Sequence, residues 1–276
     1  MMARVRDMNE FSNDFVVLLP THSKYKKTVE NFLELFRKNW KDCPFKVVVS
    51  IVGEKIKIDN VDVIYNGKDA SLIDCVVSVA KKYKSVYYIS FLGDAFISEK
   101  VDNGKIADIL NDIIKNKISY CSLTSVKNYR RKKPLNSRLR YINSFDRYSH
   151  NFFAFAASRE FILNELARYE SDMAFEKAYL SCEEEFYYND RVVVEKNILK
   201  IIPGITKGKW DKINLKKLKN RNPEVDFCMA GGVLGFRESL IRHIRDRIVS
   251  HLSPNLRVKM KKVVEKIFKM KFGVGG

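Results

Sequence analysis

The sequence lacks several things, and each lack removes a class of protein. Nowhere do about 18 apolar residues follow one another, so no stretch can cross a bilayer as a helix. The cysteines, Cys43, Cys75, Cys121, Cys182 and Cys228, stand singly and in odd number. That excludes a disulfide framework or a zinc cluster and points to a reducing, cytoplasmic setting. Met1 to Asn13 mixes Arg4, Arg6, Asp7 and Glu10 with isolated apolar positions and has no run suited to a secretory or transit peptide. The expectation is a protein made and kept in the cytosol. There is no repeat of solenoid or propeller period, and no zinc-finger, KH, RRM or helix-turn-helix pattern. Acids are scarce beside bases, 33 against 51, which leaves a net charge of +18.

What is present is globular. With 276 residues, 46% of them hydrophobic and 12% aromatic, the chain can bury a sizeable core and is not disordered. The positive charge predicts attraction to an anion: nucleic acid, a phosphorylated substrate or anionic lipid. It does not choose among them, and many lysines serve only to solvate the surface.

Short β-branched runs alternate with helical patterns. Phe15 to Leu19, stopped by Pro20, predicts a strand buried on both faces. Val29, Phe32, Leu33, Phe36 and Trp40 then recur at helical spacing. Lys46 to Val52 and Val61 to Tyr65 predict two more strands, the second ending in the turn pair Asn66-Gly67. Ser71 can cap a helix carrying Leu72, Val76, Val79 and Ala80. Val86 to Leu92 predicts a strand, Ile106 to Ile114 a helix, and Ile118 to Leu123 a strand. Such alternation implies a mostly parallel sheet flanked by helices. Lys127 to Pro134 is too polar for a core element and predicts a loop. Beyond it, Asn151 to Ala157, Val192 to Val194 and Ile198 to Ile202 are strand candidates, Arg159 to Arg168 a helix, and Leu215 to Asn220 a short helical piece. Phe236, Leu240, Ile241, Ile244, Ile248 and Leu252 form one helical stripe, and after Pro254 Leu256, Met260, Val263, Val264, Ile267 and Phe268 form a second, backed by lysines and arginine.

The strongest local signal is Tyr88 to Ile97, an apolar strand running into Gly93-Asp94. Ligands of open α/β sheets bind at the carboxyl ends of strands, so Asp94 stands where a substrate or cofactor would sit. Equally, an Asp there can simply shape the turn. Val86 to Thr124 resembles the strand, acidic motif, helix and strand of GT-A glycosyltransferases of bacterial capsule and lipopolysaccharide loci. Leu18 to Ser23, Asn151 to Phe155, Asp172 to Glu176 and Gly204 to Trp210 resemble further segments of that family in the same order, over about residues 14 to 226.

The resemblance implies an α/β, GT-A-like (Rossmann-like) mixed sheet and transfer of a sugar from a nucleotide-diphosphate sugar to a hydroxyl of a polysaccharide or lipid-linked glycan. It implies nucleotide-sugar contacts from Pro20, Thr21, His22, Asn66, Asp69, Ser71, Gly93, Asp94, Arg130, Arg131, Lys207 and Lys209. Glu176 is the implied base, with Asp172 beside it. Relatives often carry two acids where this chain has Gly93-Asp94-Ala95. Two routes to neutralising the diphosphate therefore stay open: a divalent cation, Mg²⁺ or Mn²⁺, held by Asp94 with water and phosphate, or the basic side chains.

Domain boundaries are expected as a tail over 1–13, a catalytic domain over 14–235 and a basic, helical extension over 236–276. Leu256 to Phe272 suits either packing on the catalytic domain or a peripheral contact with the anionic inner face of the cell membrane. On this reading there is no nucleic-acid partner. The alternatives are a nucleic-acid-binding protein, motivated by charge and by the aromatic and basic residues of Tyr129 to Arg131 and Tyr141 to Tyr148, and a sugar nucleotidyltransferase.

Overall fold

A computed structural model of the chain describes residues 7–126, 132–146, 149–206, 208–227 and 231–249. Strand β1 (Phe15–His22) is central. It pairs in parallel with β2 (Lys46–Val52) on one side and with β4 (Tyr87–Phe91) on the other, and β2 pairs in parallel with β3 (Asp62–Tyr65). Both faces of β1 are covered. Phe15, Val17 and Leu19 enter a core shared with helices α1 (Lys26–Asn39) and α3 (Asn103–Lys115). Val16 and Leu18 enter the opposite core with α2 (Leu72–Lys82). That double burial is why the strand is continuously apolar rather than alternating. Pro20, which has no N–H to give, comes after the pairing with β4 has ended at Leu18, so no ladder bond is lost on that side.

The second half of the sheet turns back on the first. Strand β8 (Ala154–Ser158) lies antiparallel between β4 and β6 (Tyr120–Ser122). Beyond β6 come the parallel β9 (Tyr187–Val194) and, at the edge, the antiparallel β7 (Leu139–Asn143). The eight-stranded order is β3-β2-β1-β4-β8-β6-β9-β7. The expected α/β class, a mostly parallel mixed sheet flanked by helices, is the one the chain adopts. Helix α4 (Asp172–Leu180) sits with α2 on one face and buries Phe175 and Tyr179 against Phe161 and Phe155.

Three expectations are corrected. The helix expected over Arg159 to Arg168 is a π turn, Phe161–Glu165, followed by a 3-10 turn, Leu166–Arg168. The wider turn places Phe161, Ile162 and Leu166 together in the α2-side core. Met8 and Phe11, inside the expected tail, form a capped 3-10 turn and are buried against α3. Strand β7 was not foreseen, because its Arg140 and Asn143 suggest a surface. Arg140 is fully buried, donating to Asp146 Oδ2 at 3.1 Å and to the Val126 carbonyl at 2.7 Å. Residues 127–131 of the expected basic loop, and the second C-terminal stripe, lie outside the described residues.

After β4 the chain forms a short strand β5 (Ala95–Ile97). This pairs antiparallel with β10 (Ile201–Pro203), which leads into the two-residue pair β11 (Ile205–Thr206) and β12 (Lys209–Trp210) and then helices α5 (Lys212–Arg221) and α6 (Phe236–Val249). Trp210 is fully buried and stacks on Phe96 with ring centroids 5.4 Å apart. The stack leaves no room for a side chain at Gly204, where a Cβ would collide with both rings. Gly204→Ala is therefore expected to cost ~1–3 kcal/mol, the usual range for overpacking. Urea unfolding should show the lower midpoint at unchanged slope.

Candidate functional site

Where β1 and β4 end, their chains diverge and leave a cavity of about 330 Å³ at the carboxyl edge of the sheet. Pro20, Thr21 and His22 enter from the end of β1, and Tyr25 and Thr28 from the start of α1. Val52 comes from the end of β2, Ala70, Leu72 and Cys75 from the start of α2, and Leu92, Gly93 and Asp94 from the turn after β4; Ile205 of β11 closes one side. Two glycines make this approach possible. A Cβ at Gly93 would lie 2.8 Å from Val29 Cγ2, so a side chain there would push the Asp94 turn away from α1. Gly53 has φ +98°, a left-handed value that favours glycine, and a Cβ on it would lie 2.7 Å from His22 Cε1.

Asp94 is held by the segment beyond β10. Its Oδ2 accepts the Ile205 N–H at 3.1 Å and its main-chain oxygen accepts the Gly204 N–H at 2.9 Å. Burial dominates its electrostatics and pushes the carboxyl up to about 6, although the Ile205 N–H works the other way. Opposite, α1 continues directly from a 3-10 turn, Ser23–Tyr25, capped by the His22 side chain, and its first turn brings Tyr25 and Thr28 to the cavity. His22 Nδ1 accepts the Lys24 N–H at 3.2 Å, which leaves Nε2 to carry the proton of the neutral ring. Cys75 lines the wall as a buried thiol pushed up to about 11, mainly by burial, and is inert at neutral pH.

The fold thus gathers Pro20, Thr21, His22, Gly93 and Asp94 around one cavity. The other expected residues have different surroundings. Asn66 donates from Nδ2 to Ser50 Oγ at 2.8 Å and to the Ile51 carbonyl at 3.3 Å, tying the β3–α2 connection to β2. Ser71 caps α2 in a reciprocal box with Asp74, its Oγ accepting the Asp74 N–H at 3.1 Å. Asp69 is exposed. None of these three lines the cavity; their neighbours Ala70, Leu72 and Cys75 do. Lys209 is exposed on β12, and Arg130, Arg131 and Lys207 lie outside the described residues. Asp172 and Glu176 stand one turn apart on α4 and do not line the cavity. Burial, with the Asp172 charge adding to it, raises the Glu176 carboxyl above the ordinary range.

A divalent cation at this site would find little protein to hold it. Among the described residues no group of three or more His, Cys, Asp or Glu could ligate a metal, and Asp94 supplies the cavity's only carboxylate there. With Oδ2 already accepting one N–H, that single group fits a hard cation taking its other ligands from water and phosphate, as Mg²⁺ does.

No protein-family model matches the chain, and no curated protein matches it in sequence. Among solved structures, S. aureus TarS 1-349 in complex with UDP-GlcNAc is similar at TM-score 0.47 and 13% identity, over 82% of this chain and 69% of that one. A CMP:2-keto-3-deoxy-manno-octonic acid synthetase complexed with CTP is similar at TM-score 0.46 and 14% identity, over 77% of this chain and 100% of that one. A cytidylyltransferase from Leptospira borgpetersenii serovar Hardjo-bovis is similar at TM-score 0.36 and 13% identity; 54% of this chain matches, and it spans 62% of that protein's length.

Proposed function

We propose that the chain is a glycosyltransferase that moves a sugar from a nucleotide-diphosphate sugar to a hydroxyl of a cell-surface polysaccharide or lipid-linked glycan, at the cytoplasmic face of the membrane. The observation that carries this is the meeting of Asp94, Gly93 and the N-terminal turn of α1 in one cavity at the carboxyl edge of the sheet. Its size and mainly apolar wall of Val52, Leu72, Leu92 and Cys75 suit the nucleoside part of a donor. The phosphates then lie toward α1, whose N-terminal dipole favours negative charge.

Asp94 is the residue that would hold a cation, and a bound cation would supply charge neutralisation to the diphosphate as it leaves. Asp94 itself, accepting the Gly204 and Ile205 N–H groups, fixes the turn that closes the cavity. Lys209, Lys207, Arg130 and Arg131 are the basic groups assigned to the remaining phosphate charge. Glu176 takes the proton of the acceptor hydroxyl. The acceptor oxygen then bonds to the anomeric carbon while the bond from that carbon to the diphosphate oxygen breaks, and the nucleoside diphosphate departs.

The test is thermal melting of the full chain with nucleoside diphosphates and sugar nucleotides, with and without Mg²⁺ or Mn²⁺. A ligand bound only by the native state raises the transition by RT ln(1 + [L]/Kd), about 2.7 kcal/mol at a hundredfold excess over Kd. One nucleoside diphosphate and its sugar conjugates should raise the midpoint by several degrees, and other bases should not. No shift with any nucleotide would end the reading. Pyrophosphate release from a nucleoside triphosphate and a sugar phosphate would replace it with a nucleotidyltransferase.

A further inference from the structure

Helix α6 is built inside out. Ser239 is fully buried, accepting the Ile213 N–H at 3.3 Å and donating to Asp211 Oδ2 at 2.8 Å. His243 Nε2 lies 2.9 Å from Asp211 Oδ1, and Arg242, also buried, donates to Glu238 at 3.0 Å. These contacts fix which side faces the protein, and that side is polar. The opposite side carries Phe236, Leu240 and Ile244 at four-residue spacing, exposed to 54%, 39% and 49%. A helix facing water on its outer side has the reverse pattern, and an apolar stripe turned outward marks a surface that meets something apolar.

Charge indicates what it meets. Lys212 Nζ stands 6.0 Å from the Phe236 ring centroid, Arg237 is exposed next to Phe236, and α5 exposes Lys216, Lys217 and Lys219. From α6 the chain continues into residues 251–276, whose sequence holds Arg257, Lys259, Lys261, Lys262, Lys266, Lys269 and Lys271 against Glu265 alone. An apolar stripe with Lys212 and Arg237 beside Phe236 matches the interface of a bilayer, where apolar tips enter the acyl boundary and ammonium groups meet lipid phosphates.

We propose that the outer face of α6, with the lysines of α5, docks on an anionic lipid bilayer. This deepens the membrane part of the function proposed above and rests on it, but assigns the apolar anchor to Phe236, Leu240 and Ile244, upstream of the basic stretch. The test is sedimentation of the full chain with vesicles of phosphatidylcholine alone or mixed with phosphatidylglycerol. Wild type should sediment with the anionic vesicles and be released by high salt, because the lysine contribution is screened. Leu240→Glu with Ile244→Glu should cut the bound fraction about tenfold or more, since carboxylates would enter the lipid phase. Leu240→Ser with Ile244→Ser should give a smaller loss in the same direction. Both pairs change outward side chains, and an unchanged melting midpoint confirms that each variant is folded. If the folded variants sediment as wild type does, α6 is not the anchor and the membrane reading passes to the basic stretch alone. If wild type ignores anionic vesicles, the membrane reading itself is lost. A concentration-dependent dimer that the Glu pair dissolves would instead assign the stripe to a second copy.

Discussion

Asp94→Asn is expected to lower sugar transfer by at least about a hundredfold and, above pH 6, to make the protein more stable. The two effects come from the same burial. In the folded chain the carboxyl is pushed up to about 6, against 3.8 for an unperturbed Asp. The folded state therefore holds a proton between those values that the unfolded chain has released. Stability falls as pH rises through that window, and above it the folded protein bears the cost of a carboxylate partly withdrawn from water. An amide cannot ionise, and its oxygen can still accept the Ile205 N–H, so the variant should gain ~1–3 kcal/mol at pH 8 and almost nothing at pH 4. Chemical denaturation of both proteins across pH 4 to 8 measures this directly. The loss of turnover follows because an amide carries no charge with which to hold a cation against the donor phosphates. A variant that is both stabler and fully active would remove Asp94 from the mechanism. One that is inactive and no stabler at high pH would show that the carboxylate is already compensated in the native protein.

Asp94 was legible in the sequence because two independent rules converged on it: an apolar run identifies a buried strand, and ligands collect at the carboxyl ends of such strands. The parallel half of the sheet was legible for a related reason. Each of β1, β2 and β4 is a short β-branched or aromatic run, and the helices between them keep their apolar stripes. What stayed hidden was whatever depends on partners distant in sequence. Strand β7 contains Arg140, which looks like surface until Asp146 and the Val126 carbonyl are seen to satisfy it. Tyr25, Val52 and Cys75 line the cavity without any local pattern to mark them, since an apolar wall residue and a core residue read alike. Asn66 and Ser71 were plausible ligands by type, but Ser71 is taken up by the local cap of α2 and Asn66 by bonds across to Ser50 and Ile51 of β2. The stripe of α6 was legible as periodicity, but periodicity gives a face without saying whether it points in or out. Only the bonds from Ser239 and His243 to Asp211 decide that.

Glu176→Gln should reduce the rate of transfer by ~10²–10⁴, the usual contribution of a general base, while leaving the donor-induced thermal shift intact. The separation of the two readouts is what matters. Glu176 on α4 does not line the cavity, so the change should spare the donor, whereas as the base it must reach the acceptor hydroxyl. Burial raises its carboxyl and the Asp172 charge raises it further, so the acid limb of the rate profile should fall at higher pH than a free glutamate would give. Asp172→Asn removes the second contribution but not the first. It should therefore move that limb to lower pH while retaining most of the rate on the plateau, an effect that lost packing of α4 would not produce. Should Glu176→Gln weaken donor binding and transfer equally, α4 supports the fold and the acceptor proton leaves by another route. An unchanged acid limb in Asp172→Asn, with transfer still dependent on Glu176, would mean that burial alone sets the acidity of the base.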